Sequence, residues 1–147
     1  MTISEIGFTI KTMGKIELSG AIKKKLKEKK ISLIYLYGSY LSGYSGIKPD
    51  LDIGVLLELE VKPSLEIYTE LYKLFSNFFS SYGREIDLTF LNQAPLTFQF
   101  EVVSRGKLLY EGRKGTAVNY KEKVLREYLD FKYYLNRFDK VLLESIK

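Results

Sequence analysis

The fold is decided by two stretches, LIYLYGSY at residues 33–40 and, nine residues later, DLDIGVLL at residues 50–57. Each contains an apolar run of strand length, and the Gly-Ser turn that closes the first predicts the start of a short helix. The predicted order is strand, tight turn, short helix, loop, strand. Residues 55–57 are apolar on both faces of their strand, which indicates a strand inside a covered sheet.

The turn at Gly38 and Ser39 has the features of a phosphate site. The free N–H groups and the positive dipole end of a helix start attract a phosphate. Gly38 allows a ligand to approach the backbone closely. Ser39 either caps the helix or turns its hydroxyl toward a phosphate oxygen, and the sequence leaves both roles open.

Two aspartates open the second strand. Side chains alternate along a strand, so Asp50 and Asp52 point to one side while Leu51 and Ile53 point into the core. Paired carboxylates repel and raise each other's pKa, and a hard divalent cation removes that penalty. Because oxygen ligands of this kind suit Mg²⁺ or Mn²⁺, the pair predicts a metal site.

A third acid is found in IDLTFL at residues 86–91, another strand-like run with Asp87 near its start. If this strand pairs beside the one after Asp52, the pocket holds three carboxylates, with room for two metal ions on a phosphate chain. Such a site suits an in-line displacement at phosphorus. Glu85 shares the face of Asp87 and is the weaker candidate.

Composition excludes several kinds of chemistry. The 147 residues contain no Cys and no His, so thiolate, zinc-cysteine and Ser-His-Asp sites are ruled out. The formal charge of +5 suits a polyanionic substrate such as a nucleotide. The sequence has neither a bilayer-length apolar run nor a signal-peptide pattern, so we expect a cytoplasmic protein with one domain over 1–147.

The other elements follow from helical spacing and caps. We expect helices over Glu17–Lys30, from Pro63 and Ser64 to Gly83, and over Leu96–Arg105, with a strand from Gly106 to Tyr110. The second helix carries an apolar stripe predicted to be core: Leu65, Tyr68, Leu71, Tyr72, Phe75, Phe78, Phe79 and Tyr82.

The lysine run at residues 23–30 has two interpretations. It is either a patch for RNA or an acidic partner, or the solvated face of a helix whose Leu18, Ile22 and Leu26 face inward; the second is favoured.

The last segment, Thr116–Ser145, predicts a long helix with a seam spaced 4, 3, 4, 3, 4. The seam consists of Val124, Tyr128, Phe131, Leu135, Phe138 and Leu142. It is buried either across the sheet or against a partner protein or a second copy, and both alternatives remain open.

Together these parts resemble a known family. Gly38-Ser39, ten intervening residues, Asp50-Leu51-Asp52 and the later Asp87 are similar to the signature of minimal nucleotidyltransferases in the DNA polymerase beta-like superfamily. The resemblance is strongest to the MntA type, the antitoxin half of HEPN/MNT toxin–antitoxin pairs. It covers about 16–112, and neither the first fifteen residues nor the C-terminal helix carries a matching motif.

The resemblance implies an α/β (α+β) fold like the polymerase beta palm, with a short mixed sheet, flanking helices and a long C-terminal helix over about 116–145. It implies Mg²⁺-dependent transfer of AMP from ATP to a tyrosine of a cognate HEPN ribonuclease toxin. Asp50 and Asp52 would bind two Mg²⁺ ions, with Mn²⁺ as an alternative. Asp87 would bind the catalytic ion and accept or orient the acceptor proton, and Gly38 and Ser39 would hold the β- and γ-phosphates.

Three other functions remain open. The site could nucleotidylate tRNA, which would make the protein a toxin, with the lysine-rich helix as its support. It could adenylylate a small hydroxylated molecule, although no separate substrate domain is visible. The protein could also neutralise a toxin by contact alone, through the seam of the last helix.

Overall fold

The element order places the acidic residues on adjacent strands. A computed structural model describes residues 16–38, 50–80 and 85–146. Its elements are α1 (Gly20–Glu28), β1 (Ile31–Tyr37), β2 (Leu51–Leu57), α2 (Leu65–Phe78), β3 (Ile86–Phe90), a 3-10 turn (Leu91–Gln93), α3 (Leu96–Arg105), β4 (Lys107–Glu111) and α4 (Thr116–Ile146). The described strands form one sheet in the order β3-β2-β1-β4. The prediction of a short mixed sheet with flanking helices and a long C-terminal helix is confirmed.

The sheet is mixed because only one of its pairs is parallel. β1 pairs antiparallel with β2 and with β4, whereas β2 and β3 run parallel. A parallel pair needs a long crossover, and α2 supplies it. The register sets Tyr37 opposite Asp52 and Asp52 opposite Asp87.

Each face of the sheet has its own apolar cluster. α1 and α2 cover one face, where Leu26, Ile53, Leu71 and Phe75 are buried. α3 and the first part of α4 cover the other, where Leu33, Val102, Tyr120 and Val124 are buried. Both faces of β2 are therefore covered, as the apolar run at residues 55–57 predicts.

Both ends of α1 and the end of α2 differ from the sequence expectation. α1 ends at Glu28 and not at Lys30. α1 begins at Gly20 and not at Glu17, because the Ser19 hydroxyl accepts the N–H of Ile22 at 3.3 Å and caps the helix. α2 ends at Phe78, where the Ser80 hydroxyl donates to the Asn77 carbonyl at 2.9 Å. Tyr82 and Gly83, to which we expected α2 to extend, lie outside the described residues.

The predicted core stripe of α2 is partly wrong. Leu71, Phe75 and Phe79 are fully buried, but Leu65 is 79% exposed and Tyr72 is 38% exposed. Leu65 is the first residue of the helix, and Tyr72 lies about 100° around the helix from the buried Leu71.

The lysines of α1 form a solvated face, as favoured from the sequence. Leu26 is fully buried and Ile22 packs against the core, whereas residues 23–25 and 27 are exposed. Just after the helix, Lys29 pairs with Glu70 and Lys30 pairs with Glu60.

The seam of α4 divides into two parts. Val124 is buried, and the ring of Tyr128 stacks on Phe100 with centroids 3.9 Å apart. Every later residue of the helix is exposed. We call Phe131, Leu135, Phe138 and Leu142 the outer seam; they are 43%, 45%, 61% and 45% exposed. Packing across the sheet thus accounts for only the first turns of the helix.

Among the described residues, no helix combines the length and the apolarity needed to cross a membrane.

Candidate active site

Three polar side chains form a row across one end of the sheet. Asp52 lies in the middle, with Tyr37 of β1 on one side and Asp87 of β3 on the other. Directly paired residues point to the same face, so the prediction that Asp87 lies beside Asp52 is confirmed at the level of strand register. Asp52 is partly buried, whereas Asp50 and Asp87 are exposed.

Gly38 packs directly against the carboxylate of Asp52. Its φ of +92° belongs to a region that L side chains rarely adopt. A Cβ on Gly38 would lie 2.0 Å from Asp52 Oδ2 and 2.9 Å from its Cγ, so only glycine leaves space for this carboxylate. The sequence singles out Gly38 for close approach of a ligand, and the structure shows that the Asp52 carboxylate occupies the space beside its Cα.

The predicted companions of Gly38 lie outside the described residues. These are Ser39, the short helix expected after it, and the loop over 42–49. Glu85, the weaker acidic candidate, is exposed, and its carbonyl accepts the N–H of Leu51 at 2.8 Å. Its backbone therefore helps to align β3 with β2.

The surroundings of the row alter the pKa of Asp52. Burial raises the pKa of Asp52 to about 6, and the negative charges of Asp87 and then Asp50 contribute to the rise. The charged form of Asp52 is thus disfavoured by its surroundings. A bound cation would remove that penalty, because it offsets both the desolvation and the like charges.

The donor set fits a hard divalent cation in its chemistry. Asp50, Asp52 and Asp87 offer only carboxylate oxygens, the ligands that Mg²⁺ and Mn²⁺ prefer. Within the described ranges, no three acidic side chains stand close enough together to form a complete metal site. Asp52 is held against Gly38, whereas its two neighbours extend toward solvent.

Tyr37 is a site residue that the sequence does not reveal. Its hydroxyl donates to Thr89 Oγ1 at 3.4 Å, and its ring meets Phe98 edge-on at 5.3 Å. Burial raises the pKa of Tyr37, and Asp52 and Asp87 raise it further, against the lowering effect of the Thr89 hydrogen bond. The register of two strands places Tyr37 here, and no local spacing could have shown it.

A cavity of about 360 Å³ lies next to the row, and its lining includes Thr89, whose hydroxyl accepts from Tyr37. It is lined by Tyr68, Leu88, Thr89, Phe90, Gln93, Ala94, Pro95 and Phe98. All of these side chains are uncharged. The sequence analysis does not single out this cavity, which is assembled from α2, β3 and the start of α3.

Comparison with known protein families identifies the fold. The family model described as Polymerase beta, Nucleotidyltransferase matches residues 21–114, well over half of the chain. The chain belongs to the polymerase beta nucleotidyltransferase family. The matched range includes Gly38, Asp50, Asp52 and Asp87, so the resemblance indicated by these residues is confirmed. The protein therefore carries a nucleotidyltransferase domain.

Several solved structures of toxin–antitoxin systems are similar to this chain. A toxin–antitoxin complex with AMP-PNP is 27% identical over 82% of this chain and 95% of that chain, with a TM-score of 0.62. An MntA–HepT complex is 25% identical over 83% and 94%, with a TM-score of 0.58.

A third structure contains a tri-AMPylated Shewanella oneidensis HEPN toxin in complex with an MNT antitoxin. It is 27% identical over 83% of this chain and 93% of that chain, with a TM-score of 0.57. A search of curated proteins gives no match.

Proposed function

We propose that this nucleotidyltransferase is the antitoxin of a HEPN/MNT pair and transfers AMP from ATP to a tyrosine hydroxyl of its HEPN toxin. The observation that carries the proposal is the row in which Asp52, seated against Gly38, lies beside Asp87. The similar complexes with AMP-PNP and with an AMPylated HEPN toxin support both the nucleotide and the acceptor class.

Asp50, Asp52 and Asp87 are the residues that would hold two Mg²⁺ ions, or Mn²⁺ in their place. The ions, when bound, supply positive charge that offsets the phosphates and the carboxylates. Gly38 and Ser39 would hold the β- and γ-phosphates through their backbone N–H groups.

In the proposed reaction, the tyrosine oxygen attacks the α-phosphorus of ATP. A new oxygen–phosphorus bond forms, the bond to the β-phosphate oxygen breaks, and pyrophosphate leaves. Asp87 accepts the phenol proton, a role that its exposed carboxylate can perform for a group arriving from solvent. Because no covalent enzyme intermediate is needed, catalysis rests on positioning and electrostatics.

The proposal is tested by expressing the chain together with its HEPN toxin. The unaltered protein should restore growth, and the purified toxin should carry AMP on a tyrosine. Asp50→Asn should abolish both effects without loss of fold, since Asp50 is exposed and precedes β2. Asp139→Asn makes the same chemical change on the exposed part of α4 and should behave as the unaltered protein. Retained transfer by Asp50→Asn would contradict the proposal.

A second candidate function is neutralisation by contact alone, and the exposed outer seam favours it. A heptad-like apolar face that the described fold leaves uncovered is suited to a partner helix. In that case Asp50→Asn would still protect the cell without modifying the toxin, and Phe138→Glu would lose protection. Asp50→Asn and Phe138→Glu together therefore distinguish AMP transfer from neutralisation by contact.

A further inference from the structure

We propose that the cavity beside β3 is the acceptor subsite, which receives the aromatic ring of the residue to be AMPylated. This inference rests on the proposed function, because it assigns a place to the acceptor in that reaction. Three features of the cavity support it: its location, its lining and the side of Asp52 on which it lies.

The location follows from strand geometry. Thr89 lies two residues after Asp87, so both side chains point to the same face at a spacing of about 7 Å. Thr89 also accepts the hydrogen bond from Tyr37, the residue opposite Asp52. A ring that contacts Thr89 can therefore direct a hydroxyl along β3 toward Asp87.

The lining suits a planar uncharged group. The rings of Tyr68, Phe90 and Phe98 line the cavity, and the amide of Gln93 can form a hydrogen bond to a polar substituent. A triphosphate does not fit such a surface, because none of the lining side chains that the structure describes is cationic and could offset its charge. The volume of about 360 Å³ is at the small end of the ligand-pocket range, so it suits one aromatic side chain.

The sheet order gives the direction of the reaction. Gly38 directly follows β1 and Asp87 belongs to β3, so the two lie on opposite sides of Asp52 in the order β3-β2-β1. In-line displacement requires the acceptor and the leaving group to lie on opposite sides of the phosphorus. With the β- and γ-phosphates at Gly38, the acceptor therefore comes from the side of β3, where the cavity opens.

The cavity is also reachable by a protein segment. β3 is the edge strand of the described sheet. The cavity extends around that edge, since Thr89 and Phe98 belong to one face and Tyr68, Leu88 and Phe90 to the other. A loop or chain end of a partner can approach this edge without displacing a described element.

The test is a kinetic comparison of two tryptophan variants with the HEPN toxin as acceptor. Gln93→Trp places a large ring at an exposed position that lines the cavity, whereas Thr97→Trp places the same ring at an exposed position of α3 that does not line it. We expect Gln93→Trp to raise KM for the toxin about tenfold or more and to leave KM for ATP nearly unchanged. Thr97→Trp should change neither value. Because the chain has no Trp, the fluorescence of Gln93→Trp should also change when the toxin is added.

Three outcomes would overturn the inference. A rise in KM for ATP alone would assign the cavity to the adenine ring. An unchanged KM for both substrates, with Gln93→Trp folded as judged by its melting temperature, would mean that the cavity contacts neither substrate. In both cases the unaltered protein still transfers AMP, so the proposed function survives. Failure of the unaltered protein to modify the toxin would overturn the proposed function together with this inference.

Discussion

The acidic end of the sheet and the outer seam of α4 are both predicted by residue spacing, yet the structure resolves them differently. At the acidic end, the strand register fixes the neighbours of Asp52, which are Tyr37 on one side and Asp87 on the other. Along α4, the same heptad spacing leads to a buried Val124 and an exposed Phe138. In the sheet, strand register turns the spacing of Asp52 and Asp87 into a contact, whereas on the helix the spacing shows only which face is apolar.

The largest expected effect comes from Gly38→Ala, which breaks the acidic end directly. The new Cβ would lie 2.0 Å from Asp52 Oδ2, so the carboxylate must move. We expect AMP transfer to fall by about 10²–10³-fold, the range seen when one electrostatic group of an active site is lost. Backbone strain at a φ of +92° should also lower the free energy of unfolding by about 1–3 kcal/mol.

Gly115→Ala separates strain from crowding. Gly115 has a φ of +94°, but an added Cβ meets nothing within 4 Å. This variant should lose stability in urea denaturation and keep its transfer rate. Equal loss of activity in both variants would contradict the close packing of Asp52 against Gly38.

The next largest effect is on stability, and it should differ between the two parts of the α4 seam. Val124→Ala removes buried methyl groups and should lower the free energy of unfolding by about 2 kcal/mol. Phe138→Ala, in a side chain that is 61% exposed, should change it by less than about 0.5 kcal/mol. Urea denaturation of the isolated chain measures both. A large loss for Phe138→Ala would show that the outer seam is covered within the chain itself.

The smallest expected effect is the contribution of Asp52 to the pH dependence of the free energy of unfolding. Its pKa is raised from 3.8 to about 6, so the folded state binds more protons than the unfolded state between these values. The free energy of unfolding of the metal-free protein should therefore fall as pH rises through this window. Asp52→Asn removes this contribution, because its amide does not titrate.

Denaturation with a chelator present measures that difference. Near pH 7.5, Asp52→Asn should be more stable than the unaltered protein by about 1 kcal/mol, a value reduced to allow for the partial exposure of Asp52. The gap should close as the pH falls below 3.8, where Asp52 is protonated in both the folded and the unfolded state. A gap independent of pH would contradict the electrostatic origin of the effect.

Much of the fold follows from local signals. α3 spans Leu96–Arg105 as predicted, because Pro95 and Gly106 mark its two ends. The predicted start of α1 at Glu17 is a few residues too early. Glu17 and Leu18 fit the helical period, but the cap at Ser19 decides the boundary.

The site is predictable in part. Asp52 and Asp87 are found because a carboxylate at a strand start is visible in the sequence and parallel strands align such starts. Tyr37 and the cavity are missed because their contacts depend on cross-strand register and on α2, β3 and α3 coming together, which no short window contains. The roles of Gly38, Ser39, Asp50, Asp52 and Asp87 stay predictions.

The most direct test of nucleotidyl transfer at the acidic end uses ATP labelled at the α-phosphate. The purified protein, Mg²⁺ and a lysate of the host are incubated beside the Asp50→Asn variant, and protein, RNA and small molecules are then separated. Label on a single protein of HEPN type, absent with Asp50→Asn, is the predicted result. Label in RNA would identify a tRNA-modifying enzyme, and label in small molecules a different acceptor class. The absence of label in every fraction, with ATP and with the other labelled nucleoside triphosphates in its place, would contradict catalysis at this site and leave the outer seam of α4 as the candidate functional surface.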